Sequence, residues 1–265
     1  MEIKNYHKAR SIDEAYQLLS SNPKNSVIGG GAWMKKSSPT IETLIDLKDL
    51  KLDQIIETES LIEIGAMVTL HQLETDQSII KLGDGFVSQS LSEVLGVGFR
   101  NIATIGGSIV GRYAFSDIIP TLLTLPVHLV FYPAKEMTLE AFLNAKGKVD
   151  DILTHIVIKK IKGQGFFKKV AQSPLEFAIL NVAIFKDDQA YKIAIGSRPS
   201  GAILAEEAMA YLNKQKVVND EVVEQTANIV LETIKFGSNR VASEDYRKAL
   251  AKAYVKRGIK EVTFK

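Results

Sequence analysis

Cysteine is absent from the 265 residues of the chain, which removes disulfides, thiolate metal sites, cysteine nucleophiles and any cysteine-held iron–sulfur cluster. If electrons pass through such a cluster, it lies in another chain. Charge of one sign is lacking too. With 33 Lys and Arg against 31 Asp and Glu, and no long basic run, nothing asks for nucleic acid, although anionic small molecules held by local geometry stay open. The most apolar stretch, residues 118–132, is short and broken by Pro120 and Pro126. The first seven residues lack the apolar core of a secretion signal, so the expectation is a cytoplasmic protein with no membrane span. His7, His71, His128 and His155 fall on different elements without ligand spacing, and no metal site is expected. No combination of Ser, His and acid stands in a context that argues for hydrolysis, and Glu206-Glu207 reads as a solvated helix face.

What the chain does have is glycine in two informative places. Gly29-Gly30-Gly31 follows the apolar Ser26-Val27-Ile28, and a second motif, Thr104-Ile105-Gly106-Gly107-Ser108, is preceded by Arg100-Asn101 and followed by Ser116-Asp117. Glycine lets backbone NH groups approach an anion without a Cβ in the way, and successive NH groups in a tight turn form a concave positive nest. One glycine run equally serves a strand end or a turn with no ligand. Two such loops far apart in one chain suggest a clamp around something phosphorylated, and a diphosphate would fit.

The rest of the chain reads as an α+β protein with room for two compact units. Ser11-Ile12-Asp13-Glu14 is a capping box that opens a first helix, with Ala15, Leu18 and Leu19 on its apolar stripe. Strands are expected at 26–28, 44–47 and 61–65, a short helix capped by Thr69 through Leu73, and a helix over 88–95 that stops at Gly96. Residues 122–132 pack inside. A strand over 151–161 gives way to Gly163-Gln164-Gly165, read as a flexible connection, and a domain boundary is placed there. Beyond it come a β-hairpin (176–185 and 191–195 around Asp187-Asp188-Gln189) and helices over 202–213, 219–236 and 243–256. No Gly-x-Gly-x-x-Gly opens a helix after the first strand, so the chain is not a Rossmann unit.

The string Arg100-Asn101-Ile102-Ala103-Thr104-Ile105-Gly106-Gly107, together with the earlier glycine loop, Ile45-Asp46-Leu47, Ile64-Gly65-Ala66, Ser116-Asp117 and Pro120, resembles the FAD-binding (medium) subunit of the molybdenum hydroxylases, the family of the xanthine dehydrogenase and carbon monoxide dehydrogenase flavoproteins. The hairpin and Ile195-Gly196-Ser197-Arg198-Pro199 resemble its C-terminal domain. The resemblance implies a two-lobed FAD-binding domain of the PCMH type over 1–162, with lobes of roughly 1–53 and 54–162, and a C-terminal α+β flavoprotein domain over 163–265. It implies FAD as cofactor. Gly29, Gly30, Gly31 and Ala32 would form one diphosphate loop, Thr104, Ile105, Gly106, Gly107 and Ser108 the other, with Asn101 in the same string and Ser116 and Asp117 near the ribityl chain and flavin. It also implies iron–sulfur and molybdopterin partner chains, with NAD as electron acceptor.

Departures from the family pattern are specific. The first loop, usually Ala-Gly-Gly-Thr-Asp, runs Gly29-Gly30-Gly31-Ala32-Trp33 here and loses a hydroxyl and a carboxylate, leaving the backbone nest. Trp33 supplies either stacking on the cofactor or core packing. Ser108 stands where asparagine is common and keeps a donor and an acceptor. Where a tyrosine near the flavin is common, this chain has Phe166-Phe167-Lys168-Lys169; a phenylalanine there offers stacking and Lys168 or Lys169 a charge at the ring edge, the alternative being plain surface lysines. The functional expectation is electron transfer through FAD. Beside it stand an assembly or interaction subunit with weakened FAD binding, and a free-standing flavin oxidase or reductase.

Overall fold

The computed structural model describes residues 2–34, 40–145 and 147–264. By its contacts the chain divides into two units that interleave along the sequence: residues 1–73, 97–111 and 127–159 in one, and 74–96, 112–126 and 160–265 in the other.

The first unit carries two sheets. A small parallel sheet has β1 (Ile3–Lys8), β3 (Ile41–Asp46) and β2 (Ser26–Ile28) in the order β1-β3-β2. The helix Ile12–Ser21 packs on it, bringing Ala15 and Leu19 onto Ile45 and Leu47. The capping box forms with one change: Ser11 Oγ accepts from Glu14 NH at 3.1 Å, but the Glu14 carboxylate reaches the Arg10 NH at 2.6 Å and His7 at 2.9 Å. A second, antiparallel sheet runs β4-β5-β8-β6-β7, from β4 (Ile55–Glu57), β5 (Leu61–Gly65), β6 (Val127–Tyr132), β7 (Lys135–Thr138) and β8 (Ile152–Lys159). β8 is central and buried along most of its length, as a strand paired on both edges must be.

The second unit is one antiparallel sheet covered by helices. β9 (Gln164–Val170), β10 (Leu180–Lys186), β11 (Tyr191–Gly196) and β12 (Ile203–Leu204) pair in the order β12-β11-β10-β9. Val182, Ile184, Ile193 and Ile195 meet Val223, Ala227 and Val230 of the helix Asp220–Thr233 and Ala251, Val255 and Ile259 of the helix Glu244–Phe264. Those spacings of three and four put each set on one helix face. The expected hairpin is present, β10 against β11, and Asn219 caps the helix Asp220–Thr233 by accepting from Val222 NH at 2.9 Å.

Three expectations are corrected. Gly163-Gln164-Gly165 is not a flexible connection: Gln164 and Gly165 begin β9, and a Cβ on Gly165 would lie 2.2 Å from the Phe86 ring, so the glycine is there for close packing. Residues 176–179 precede β10 rather than belonging to it. The helix expected from Ala202 starts at Glu206, after the short strand β12, which is added to the sheet edge by pairing with β11. No helix among the described residues is long and apolar enough to cross a membrane.

Candidate functional site

The two glycine loops, more than seventy residues apart in sequence, meet within the first unit. β2 runs into Gly29, and a Cβ at Gly29 would stand 2.5 Å from Thr104 Oγ1 and 3.7 Å from Gly107 Cα. At Gly30 a Cβ would lie 1.5 Å from the carbonyl oxygen of Ile102, so only glycine lets the loops touch. Gly31 takes the left-handed conformation at φ 72°, and Ala32 and Trp33 turn the chain so that Met34 NH donates back to the Gly31 carbonyl at 3.1 Å. Trp33 is half-buried and packs edge-on against Phe99, the ring centroids 4.8 Å apart.

The second loop is a helix start. Thr104 caps the short helix Ile105–Val110, its Oγ1 accepting from Gly107 NH at 3.2 Å. The NH groups of Ile105 and Gly106 donate to Val68 and Ala66 carbonyls, both at 2.9 Å, and Ser108 NH to Thr104 O at 3.0 Å. The expected nest of NH groups in this loop is therefore corrected: its donors are consumed by the helix cap and by the chain that follows β5. Its glycines provide space instead. A Cβ at Gly106 would lie 2.6 Å from Ala66 O, whereas one at Gly107 would meet only Thr104 Oγ1, at 3.1 Å. In the first loop the balance is reversed. Among the described residues the NH groups of Gly29, Gly30, Gly31 and Ala32 donate no hydrogen bond, leaving a run of half-buried donors of the kind that receives an anion.

Between these walls lies a cavity of about 170 Å³, lined by Gly29, Thr104, Gly106 and Gly107 together with β2 and residues 148, 149 and 151–153. Of the sequence-derived candidates, Gly30, Gly31, Ala32 and Trp33 belong to the adjoining loop without lining it. Asn101 is exposed at the end of the helix Val97–Arg100. Ile105 is core, and Ser108 is buried with its hydroxyl donated to Thr104 O at 2.9 Å. Lys148 and Asp151, which line the cavity, carry no signal in the sequence beyond lying in a charged loop.

Gly106→Val is expected to destabilise the protein by about 1–3 kcal/mol through overpacking against Ala66, as a lower midpoint in thermal unfolding. An unshifted midpoint would mean the helix start moves away from Ala66 at little cost.

Ser116, Asp117 and Lys168 belong to the second unit. Ser116 Oγ accepts from Ile119 NH at 3.3 Å at the start of the helix Ile118–Leu123. Asp117 sits at the cap position of that helix but makes no capping bond. Its carboxylate is buried and faces Lys169 Nζ at 3.3 Å and Asn181 Nδ2 at 2.9 Å, while Lys169 also donates to the Glu93 carbonyl at 2.7 Å. Burial pushes the Asp117 carboxyl up to about 6, with Lys169 and Asn181 pulling against that rise and Glu93 adding to it. Asn181 joins this group to Ser197 Oγ at 3.2 Å, and the fully buried Arg247 donates to the Ser197 carbonyl at 2.8 Å.

The aromatic-lysine segment is where sequence reasoning fell shortest. Phe166 and Phe167 are both core residues of β9, so neither offers an exposed face for stacking. Lys169 is 6% exposed, not a surface lysine, because alternation along β9 sends it inward and Lys168 outward, over the Tyr254 ring at 6.0 Å.

A cavity lined by Gly29, Thr104, Gly106 and Gly107, beside a loop whose NH groups meet no acceptor among the described residues, has the chemistry of a site for a phosphate-bearing ligand outside the Rossmann class. Residues 1–160 match the family described as the FAD binding domain in molybdopterin dehydrogenase, and residues 165–262 the CO dehydrogenase flavoprotein C-terminal domain. The chain belongs to the FAD-binding subunits of the molybdopterin dehydrogenases; its cofactor is FAD and its chemistry is oxidoreduction. It is 26% identical over 236 residues to the uncharacterized protein YgfM of Escherichia coli (strain K12), covering 86% of each chain. It is 23% identical over 278 residues to the glyceraldehyde dehydrogenase medium chain of Sulfolobus acidocaldarius, covering 97% of each. Its fold superimposes on a chain of carbon monoxide dehydrogenase from Hydrogenophaga pseudoflava with a TM-score of 0.88 at 22% identity, covering 97% of this chain and 96% of that one.

Proposed function

We propose that this chain is the electron-transfer subunit of a molybdenum-pterin dehydrogenase, taking electrons from an iron–sulfur partner chain to FAD and passing them to NAD+ or another acceptor. Substrate hydroxylation then belongs to a separate molybdopterin-binding chain. A medium-chain relative with nearly full mutual coverage and the absence of cysteine both fit a chain that needs partners for its clusters. The observation that carries the reading is the glycine-walled cavity beside the free NH groups of residues 29–32.

Bound FAD supplies the redox chemistry, accepting and releasing electrons at its ring. The residues of this chain hold and tune it. Gly29 and Gly107 would leave the cavity open to the diphosphate, the NH groups of Gly29 and the adjoining Gly30 to Ala32 would donate to its oxygens, and the Thr104 cap would fix the second loop. The lost hydroxyl and carboxylate at Ala32 and Trp33 remove side-chain bonds and leave the backbone donors. Ser116 and Asp117 are assigned to the cofactor on the resemblance of their pair, with Lys169 setting the charge of Asp117; Asn101 is assigned to it through the Arg100–Gly107 string and Lys168 through the segment that holds a tyrosine near the flavin in the family. No catalytic acid or base is required.

The test is the visible spectrum of the purified chain after adding FAD and removing the excess by gel filtration. Flavin bands travelling with the protein are expected, as is bleaching on anaerobic addition of NADH. Retained flavin that NADH leaves coloured would reject nicotinamide as acceptor. A colourless chain that still assembles with its partner chains would favour the assembly role instead.

A further inference from the structure

Beyond the backbone donors, a diphosphate needs charge. It brings two negative charges into the cavity near neutral pH, and the NH groups of the first loop answer with partial charges only. Among the described lining residues there is one cation, Lys148, and one anion, Asp151. Asp151 lies 3.6 Å from Lys135, which offsets part of its repulsion. Lys148 Nζ donates to the Pro23 carbonyl at 3.1 Å and stands 3.6 Å from the exposed carboxylate of Asp150. Pro23 is two residues ahead of Asn25 and three ahead of Ser26, both of which line the cavity. The lysine thus ties the 148–153 wall to the turn that leads into β2. Its hydrogen-bond acceptor is the neutral Pro23 carbonyl, a weaker acceptor for an ammonium than a phosphate oxygen, and its ion pair with Asp150, at 3.6 Å, is long and solvent-exposed.

We propose that Lys148 is the charge-specificity residue of this cavity: its ammonium exchanges the Pro23 carbonyl for an oxygen of the cofactor diphosphate, drawing the 148–153 segment onto the bound nucleotide. The inference rests on the FAD reading above and adds to it a residue outside either glycine loop. It also accounts for how a loop that has Ala32 and Trp33 in place of polar side chains still holds a dianion. The ammonium is flexible and strongly hydrated, so the grip is that of a point charge, screened by salt.

The test uses the full chain and two probes beside FAD, namely ADP, which keeps the diphosphate, and adenosine, which lacks it. Binding is measured by titration calorimetry at low and high salt for the natural chain, Lys148→Gln and Lys148→Arg. In Lys148→Gln, FAD and ADP are expected to bind about tenfold more weakly, the value of one charge-assisted hydrogen bond, with a flatter salt dependence. Adenosine binding should be unchanged, and Lys148→Arg should restore most of the loss. Equal affinity of the natural chain and Lys148→Gln for FAD and ADP would overturn the proposal while leaving the FAD reading intact. A natural chain that binds neither FAD nor ADP would overturn both. Weakening of adenosine by the same factor would make Lys148 a part of the wall and not a phosphate ligand.

Discussion

Gly107→Val is expected to abolish FAD binding, lowering affinity by at least about a hundredfold, while leaving thermal unfolding nearly unchanged. The position is exposed, and a Cβ there meets only Thr104 Oγ1, at 3.1 Å, a contact that a few tenths of an ångström relieves. The isopropyl group then stands in a cavity of about 170 Å³, where the phosphate would have to be. Losing two charge-assisted hydrogen bonds at about 1.5–3 kcal/mol each corresponds to two or more powers of ten in affinity. The neighbouring Gly106→Val has a different signature, since its Cβ would lie 2.6 Å from the Ala66 carbonyl oxygen, which costs stability. The pair therefore separates binding from folding. Stoichiometric flavin on Gly107→Val after gel filtration would remove the second loop from the phosphate site.

Lys169→Met is expected to cost about 3–5 kcal/mol of stability near pH 8, because it leaves the Asp117 carboxylate buried without its cation. The loss should depend on pH in a defined direction. The Asp117 carboxyl is already raised from 3.8 to about 6 with Lys169 in place, and removing the lysine raises it further. A carboxyl whose folded value lies above its unfolded value makes the native state bind more protons than the unfolded chain, so stability is highest below the unfolded value and falls as pH rises through the folded one. The variant should thus recover part of its loss between pH 8 and pH 5. Asp117→Asn in the same background should recover much of it at pH 8, since a neutral amide needs no cation. Denaturant unfolding at the two pH values checks both statements; a loss independent of pH and of Asp117 would reduce Lys169 to a packing residue.

The difference between Gly106 and Gly107 also shows what kind of information the sequence carries about the site. As letters the two are equivalent, and the nest argument applied to both. What separates them is that the NH groups of Ile105, Gly106 and Ser108 find acceptors at Val68, Ala66 and Thr104. Two of those acceptors are more than thirty-five residues away, and no local rule supplies them. Lys168 and Lys169 make the same point. Adjacent lysines read as surface, yet strand alternation sends them to opposite faces, and Lys169 is tolerated inside only because Asp117 and the Glu93 carbonyl meet it there.

By itself the sequence determined whatever depends on neighbours along the chain: the caps at Ser11, Thr69 and Asn219, the hairpin around Asp187, the helix faces spaced by three and four, and a specific string at Arg100–Gly107 that marks the FAD-binding family. These are short-range effects, in which a side chain answers a backbone group within a turn or two. Tertiary structure alone decided that the two glycine loops meet at one cavity, that the free donors belong to the first loop, that Lys148 reaches across to Pro23, and that Lys169 is buried on Asp117. Each depends on bringing together residues far apart in sequence, where burial turns a lysine or a carboxylate from a solvated group into one that must find a partner.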